Sequence, residues 1–117
     1  MPHPKDLIRL RHMLDYAEEA LKLIRGKNRE NLDSERVLGL ALVRLLEIIG
    51  EAASRVSIET QAMHPSIPWP EIVGLRNRLI HGYDAVDMDI LWQILKRDLP
   101  NLLKELEKIL SKEADRC

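Results

Sequence analysis

One short stretch of this chain holds most of the side chains that could act on a substrate. Residues 74–84 read GLRNRLIHGYD and bring together Arg76, Asn77, His81 and Tyr83. Arginine offers a planar, permanently charged fork that fits a phosphate, and histidine can exchange protons near neutral pH. In principle this pair can cleave RNA without a metal. The histidine would move a proton at the ribose 2′-hydroxyl or the leaving oxygen, while the arginine stabilised the charged phosphorane.

The spacing within this stretch predicts a helix over residues 71–82. On that helix Asn77 and His81 are four residues apart and lie on one face. Arg76 and His81 are five apart, about 140° around the axis, and share a broad polar face without stacking. Arg78 lies on the other side of Arg76, where we expect it to serve the fold or a partner. One arginine and one histidine supply few catalytic groups, so two copies of the site facing each other across a dimer would be more capable.

A purely structural explanation of the same residues stays open. A single histidine on a helix is usually an ordinary surface or core residue, and an arginine beside a glutamate usually forms an ion pair on a solvated face. Spacing by itself favours this explanation over a catalytic one.

Apolar residues at spacings of three and four predict the helices that position this stretch. The predicted helices span residues 5–25, from Asp33 or Ser34 to about Met63, 71–82, and from Asp87 or Asp89 to about Ser111. The three prolines of HPSIPWP, residues 64–70, end the second helix. Pro100 predicts a kink in the last helix, or two abutting helices. The pattern indicates one domain over residues 1–117, an all-α bundle of four or five helices.

The second predicted helix is apolar well beyond one face, so it must be covered on more than one side. Neighbouring helices and a second protomer could both supply that cover, and we expect a mixture of the two. The same helix carries Glu47 and Glu51. These carboxylates could orient the site by pairing with Arg76, Arg78 or Arg44. They could equally form solvated pairs within the helix, with Arg44 or Arg55.

Composition narrows the class of protein. The chain has 117 residues, with 18 Lys and Arg against 19 Asp and Glu, for a formal net charge of -1. Bulk attraction to a polyanion is therefore excluded, and any contact with nucleic acid must use a local basic site. The single cysteine, Cys117, cannot form a disulfide within one chain, which is typical of a reducing cytosol.

No cofactor, metal or membrane contact is expected from the sequence. His3, His12 and His64 lack the spacing of metal ligands. No apolar run approaches the roughly 20 residues that span a membrane, and the N-terminus lacks the apolar stretch of a signal peptide. We therefore expect a cytoplasmic protein.

The string R-N-R-L-I-H-G-Y at residues 76–83 resembles the signature of the HEPN ribonucleases: Arg, four residues, His, one residue, Tyr. The likeness is close to the HepT-like branch, the toxin half of a toxin–antitoxin pair. It extends over nearly the whole chain, through HMLDYAEEA at 12–20, ALVRLLEIIGEAA at 41–53, IPWPEIVGLRNRLIHGYDAVD at 67–87 and DLPNLLKELEKIL at 98–110.

The resemblance implies a HEPN-type all-α homodimer with its active cleft at the dimer interface and a metal-independent endoribonuclease activity. It implies that Arg76 and His81 are catalytic and that Asn77 supports His81. It also implies a partner, an MNT-type nucleotidyltransferase antitoxin, which transfers AMP from ATP onto Tyr83. The added bulk and negative charge near Arg76 would exclude RNA.

Two other functions remain in competition with the ribonuclease. The chain could be a non-catalytic helical interaction module that binds the nucleotidyltransferase and is modified by it. The near-neutral net charge, with no broad basic surface, favours that alternative. A plain helical dimerisation domain is the third possibility, and the clustering of Arg, Asn, His and Tyr in one stretch argues against it.

Overall fold

A computed structural model describes residues 3–82 and 85–115, without the side chains of residues 114 and 115. Tyr83 and Cys117 lie outside the described residues. Within those ranges the chain forms helices and one isolated antiparallel bridge, between Ile80 and Val86, and no strand. The predicted all-α class is confirmed. The α-helices are α1 Pro4–Leu23, α2 Asn31–Ser34, α3 Arg36–Ser54, α4 Ile58–Met63, α5 Trp69–Val73, α6 Leu75–Leu79, α7 Met88–Gln93 and α8 Leu99–Asp115, with a π-helical segment at Ile94–Asp98.

Helix α3 is the central element of the bundle. It packs against α1 on one side and against α5 and α6 on the other, while α8 packs against α1 and the π-helical segment. The core between them is almost entirely aliphatic, as the scarcity of aromatic residues requires. Its largest fully buried side chains are Leu10, Met13, Leu32, Leu42, Leu46, Ile49, Ile67, Ile72, Leu75, Leu79, Leu91 and Ile94.

The second predicted helix is wrong in extent, because three helices occupy its range. Glu35 leaves helical geometry between α2 and α3, with φ −117° and ψ 85°. The chain leaves it again after Ser54, and Ser57 then starts α4 as an N-cap whose hydroxyl accepts a hydrogen bond from the Thr60 amide. A serine that caps a new helix offers the backbone an alternative to continuing the old one.

A buried carboxylate holds this cap. Asp6 of α1 is only 3% exposed. It accepts hydrogen bonds from the Ser57 amide at 3.0 Å, the Ser57 hydroxyl at 2.6 Å and the Thr60 hydroxyl at 2.7 Å. Burial by itself would raise the pKa of Asp6, but the hydrogen bonds from Ser57 and Thr60 outweigh it and lower that pKa. The ionised carboxylate therefore ties the start of α1 to the start of α4.

The last predicted helix changes its winding ahead of Pro100. Of its two expected N-caps Asp87 is the one observed, since its carboxylate accepts from the amides of Asp89 at 3.0 Å and Ile90 at 3.1 Å. In the π-helical segment the Leu99 amide donates to the Ile94 carbonyl, five residues back. Proline lacks an amide hydrogen and its ring crowds the carbonyl four residues earlier. The wider turn lies directly before Pro100, where the sequence predicted a kink or a boundary between two helices.

Helix α5 lies unusually close to α3 at Gly50. A Cβ atom built on Gly50 would come within 3.0 Å of the Ile72 carbonyl oxygen and 3.4 Å of the Val73 carbonyl oxygen. An alanine there would force the α5 backbone to shift by a few tenths of an ångström, so glycine favours this close approach of α5 to α3.

No helix within the described ranges combines the length and the hydropathy that a membrane span requires.

Asp6→Asn should lower the free energy of unfolding by about 1.5 to 3 kcal/mol at pH 7, because hydrogen bonds to a charged acceptor are lost. The folded pKa lies below the ordinary value of 3.8. The stabilisation is therefore present above that value and disappears as the pH falls through the folded pKa. Urea unfolding at pH 7 and at decreasing pH measures both effects. Asp15→Asn is the control, since that exposed carboxylate lies 3.7 Å from Arg11 and should contribute little. Equal losses in the two variants would contradict the assignment.

Gly50→Ala should destabilise the fold, whereas Gly39→Ala in the same helix should stabilise it by up to about 1 kcal/mol. Both changes gain the same helix propensity. A Cβ on Gly39 meets the Met88 methyl at 3.5 Å and the Leu32 carbonyl oxygen at 3.8 Å, both ordinary contacts, while one on Gly50 meets the Ile72 carbonyl oxygen at 3.0 Å. Thermal unfolding of both variants measures the difference. A Gly50→Ala variant as stable as Gly39→Ala would show that α5 can move away from α3 at little cost.

Candidate active site

The candidate site lies where the chain leaves α6. The predicted single helix over 71–82 is wrong in extent, because two short helices, α5 and α6, occupy its range and the second ends before His81. Gly74 separates α5 from α6, and α6 ends at Leu79. Ile80 is extended, with φ −104° and ψ 121°, and it forms the bridge to Val86. His81 therefore lies in a loop beyond the helix.

Two backbone hydrogen bonds close this loop, which we call the motif loop and define as residues 80–86. The His81 amide donates to the Ala85 carbonyl at 2.7 Å, and the Asp87 amide donates to the Leu79 carbonyl at 2.9 Å. Gly82 has φ +84°, a conformation that favours glycine. The closed loop presents His81 on the surface, since His81, Gly82 and Ala85 are all exposed.

This geometry changes the expected relation between Asn77 and His81. Asn77 is exposed on α6, and His81 lies past the end of that helix, so the stacking expected four residues apart on one helical face does not occur. Asn77 as a support for His81 stays a prediction of the family resemblance. Arg76 and His81 are both exposed, on either side of the end of α6.

Arg76 is held by an acid from the central helix. Its Nε donates to Oε2 of Glu47 at 3.2 Å. The arginine side chain is 64% exposed, whereas that of Glu47 is 26% exposed. The hydrogen bond uses Nε, and the two terminal Nη groups, which can grip a phosphate in a bidentate contact, have no hydrogen-bond partner among the described residues.

Arg78 faces the opposite side of α6. Its Nη2 lies 3.0 Å from Oδ2 of Asp98 in the π-helical segment, and both side chains are about one-third exposed. The expectation that Arg78 serves the fold agrees with this contact. Of the two carboxylates left open by the sequence, Glu47 pairs with Arg76, while Glu51 pairs with Arg55 within α3 at 2.9 Å. Sequence reasoning named both partners without being able to choose between them.

The remaining histidines make other contacts. His3 caps α1, its Nδ1 accepting from the Lys5 amide at 3.1 Å. The backbone carbonyl of His64 accepts from the Trp69 indole at 3.1 Å, while its ring Nε2 is buried with no hydrogen-bond partner among the described residues, and burial lowers the pKa of this ring. His12 lies beside Tyr16, with ring centroids 6.4 Å apart. Across the part of the chain that the structure describes, no three His, Cys, Asp or Glu side chains gather as a metal-binding group would.

Comparison with known proteins gives this arrangement a context. Residues 13–109 match the family model described as "Ribonuclease HepT-like". A protein of Caldanaerobacter subterraneus subsp. tengcongensis named "Putative RNase" is 38% identical over 104 residues, covering 89% of this chain and 93% of its own. One of Thermococcus cleftensis named "Probable ribonuclease HepT" is 38% identical over 102 residues, covering 81% and 93%. A "Putative RNase" of Methanocaldococcus jannaschii is 36% identical over 95 residues, covering 81% and 87%. No solved structure gives a significant match.

Glu47→Gln should show whether Glu47 acts by positioning the Arg76 guanidinium or by changing how strongly the substrate binds. If Arg76 is catalytic, as the sequence leads us to expect, losing the carboxylate loosens its guanidinium and kcat for RNA cleavage should fall about tenfold. KM should not rise, because a negative charge beside Arg76 is removed. Steady-state cleavage of a labelled RNA measures both constants. Glu51→Gln, one turn further along α3, is the matched control and should stay within about twofold of the wild type in both constants. The same drop in kcat for both variants would refute a positioning role for Glu47.

Proposed function

Because the chain belongs to the HepT-like family of ribonucleases, we propose that it is a metal-independent RNA endonuclease in which Arg76 and His81 are catalytic. The observation that carries this proposal is the Arg76–Glu47 pair, which fixes Nε while leaving the rest of an exposed guanidinium open to solvent. The closed motif loop presents an exposed His81 a few residues further on. Asn77, exposed on the same helix as Arg76, is the proposed supporting residue.

The proposed reaction is a transesterification within the RNA strand. The ribose 2′-oxygen attacks the adjacent phosphorus as its proton passes to a histidine, and the P–O5′ bond breaks as that oxygen takes a proton. The products are a 2′,3′-cyclic phosphate and a 5′-hydroxyl. Arg76 stabilises the charge on the phosphorane through its Nη groups. One histidine cannot be base and acid at the same moment, so His81 of a second copy supplies the other proton transfer.

The proposed second copy covers the apolar outer face of α3. Val37 is 79% exposed and Leu40 is 57% exposed. Leu40 lies seven residues before Glu47, hence about two turns, or roughly 10 Å, from the acid that holds Arg76. Leu40 also lines a cleft of about 330 Å³ with Val86 of the motif loop and Met88. An exposed apolar surface continuous with the motif loop is what a dimer with its cleft at the interface requires.

The proposed biological role is that of a toxin controlled through Tyr83. By the family resemblance, an MNT-type nucleotidyltransferase antitoxin joins the Tyr83 oxygen to the α-phosphorus of ATP and releases pyrophosphate. Tyr83 lies outside the described residues, but His81 and Gly82 before it and Ala85 after it are exposed. A nucleotide attached there adds bulk and a negative phosphodiester in the loop beside Arg76, which opposes the approach of an RNA phosphate.

The test is cleavage of tRNA and of an mRNA in excess chelator, with intact mass recorded to show that Tyr83 is unmodified. The wild type should cleave, and Arg76→Ala and His81→Ala should each lose at least about a hundredfold in rate. Tyr83→Phe should still cleave and should resist inactivation by the nucleotidyltransferase with ATP. Arg11→Ala removes an exposed arginine paired only with Asp15 and should change nothing.

Failure to cleave any RNA by an unmodified, dimeric wild type would count against the nuclease. Retained binding of the nucleotidyltransferase by that silent protein would instead favour the non-catalytic interaction module.

A further inference from the structure

A cleft of about 240 Å³ opens between the end of α1 and the π-helical segment, away from the residues assigned so far. Apolar side chains, among them Ile24 and Leu95, line part of it. Its charged lining residues are Arg25, Lys27 and Lys96, and no carboxylate takes part. We call it the basic cleft.

Its charge sets it apart in a protein of nearly balanced composition. Four larger clefts of the described residues each include at least one carboxylate. Glu105 lies in the cleft between the 66–72 region and α8, Glu18 in the cleft between α1 and α8, Glu51 in the cleft between α1 and α3, and Asp33 in the cleft beside α2. The basic cleft is thus a local site of the kind that a neutral protein needs to contact a polyanion.

Two of the cations at this end of the molecule are already neutralised. Lys27 pairs with Glu35 at 2.9 Å, and Arg29 pairs with Asp89 at 2.8 Å and with Asp33 at 3.1 Å. Arg25 and Lys96 are exposed and form no ion pair with any residue that the structure describes. Lys96 is instead held over the ring of Trp92, 5.6 Å from its centroid, a contact that orders the side chain without cancelling its charge.

The basic cleft lies along the helix that starts at the motif loop. Asp87 closes that loop and caps α7, and Lys96 follows nine residues later, hence about 13 Å along the axis. Asp89, bonded to Arg29, lies seven residues before Lys96 and so on nearly the same face. The segment from Arg25 to Arg29 therefore runs beside this helix towards the motif loop. An RNA strand that passes from the motif loop to Lys96 would therefore span a few phosphates.

From these observations we propose that the basic cleft, through Arg25 and Lys96, binds the phosphodiester backbone of the RNA substrate a few phosphates from the bond to be cleaved. This inference rests on the proposed function. Cations at the end of α1 also stabilise its helix dipole, which would account for Lys22 and Arg25. It would not account for Lys96, which comes from the interior of another helix and faces the same cleft.

The experiment measures RNA binding in a His81→Ala background, so that the RNA stays intact. Fluorescence anisotropy of a labelled 20-nucleotide single strand is followed as salt rises from 50 to 200 mM. Adding Arg25→Gln with Lys96→Gln should weaken binding about tenfold. It should also reduce the slope of log affinity against log salt by about 1.4, because each lost phosphate contact contributes about 0.7. Lys104→Gln with Lys108→Gln on α8 removes the same charge and is the matched control, expected to stay within about twofold.

If the His81→Ala protein binds RNA with the same affinity and salt slope after Arg25→Gln and Lys96→Gln are added, the basic cleft is overturned while the proposed nuclease is left intact. An equal loss of RNA affinity in the Lys104 and Lys108 control would also overturn the basic cleft, because it would show that binding depends on the overall charge of the protein. If the His81→Ala variant binds no RNA and the wild type cleaves none, both the basic cleft and the proposed function are overturned.

Discussion

The position of His81 depends on two backbone hydrogen bonds, from His81 to Ala85 and from Asp87 to Leu79. They join the end of α6 to the start of α7, so the loop is tied at both ends to helices. Leu79 and Leu91 of these helices are fully buried. The backbone at His81 is therefore constrained by the core, although the His81 side chain is exposed. A catalytic histidine needs that precision, because proton transfer requires hydrogen-bond reach to the substrate.

Ion pairing distinguishes the two arginines of α6. The Nη2 group of Arg78 is paired with Asp98, whereas Arg76 is paired with Glu47 through Nε. Arg76 and Arg78 are also anchored on opposite sides of a helix only five residues long, to α3 and to the π-helical segment. The ion pairs with Glu47 and Asp98 therefore hold α6 in place. Arg76 nevertheless stays exposed in a protein whose positive and negative charges nearly balance.

Sequence reasoning predicted the helical class and named Asp87 as one of two possible caps, because apolar periodicity and capping chemistry are local signals. It missed the end of α6, because LRNRLIH contains no glycine or proline to end a helix before Gly82 and the Ile80–Val86 bridge is a tertiary contact. It missed the start of α4, because Ser57 is committed to capping by a carboxylate 51 residues earlier. It could not choose the partners of Glu47 and Glu51, since several arginines were within reach and only packing separates them.

The contact between Asp6 and the start of α4 has a consequence for the growing chain. Helix α1 is made first, but α3, the helix it packs against, ends only at Ser54, and Ser57 and Thr60 follow within the next six residues. At typical synthesis rates these residues take about one second or less. The partners of the Asp6 carboxylate therefore emerge almost as soon as the surface that α1 docks on, and its charge need not lose water before they are present.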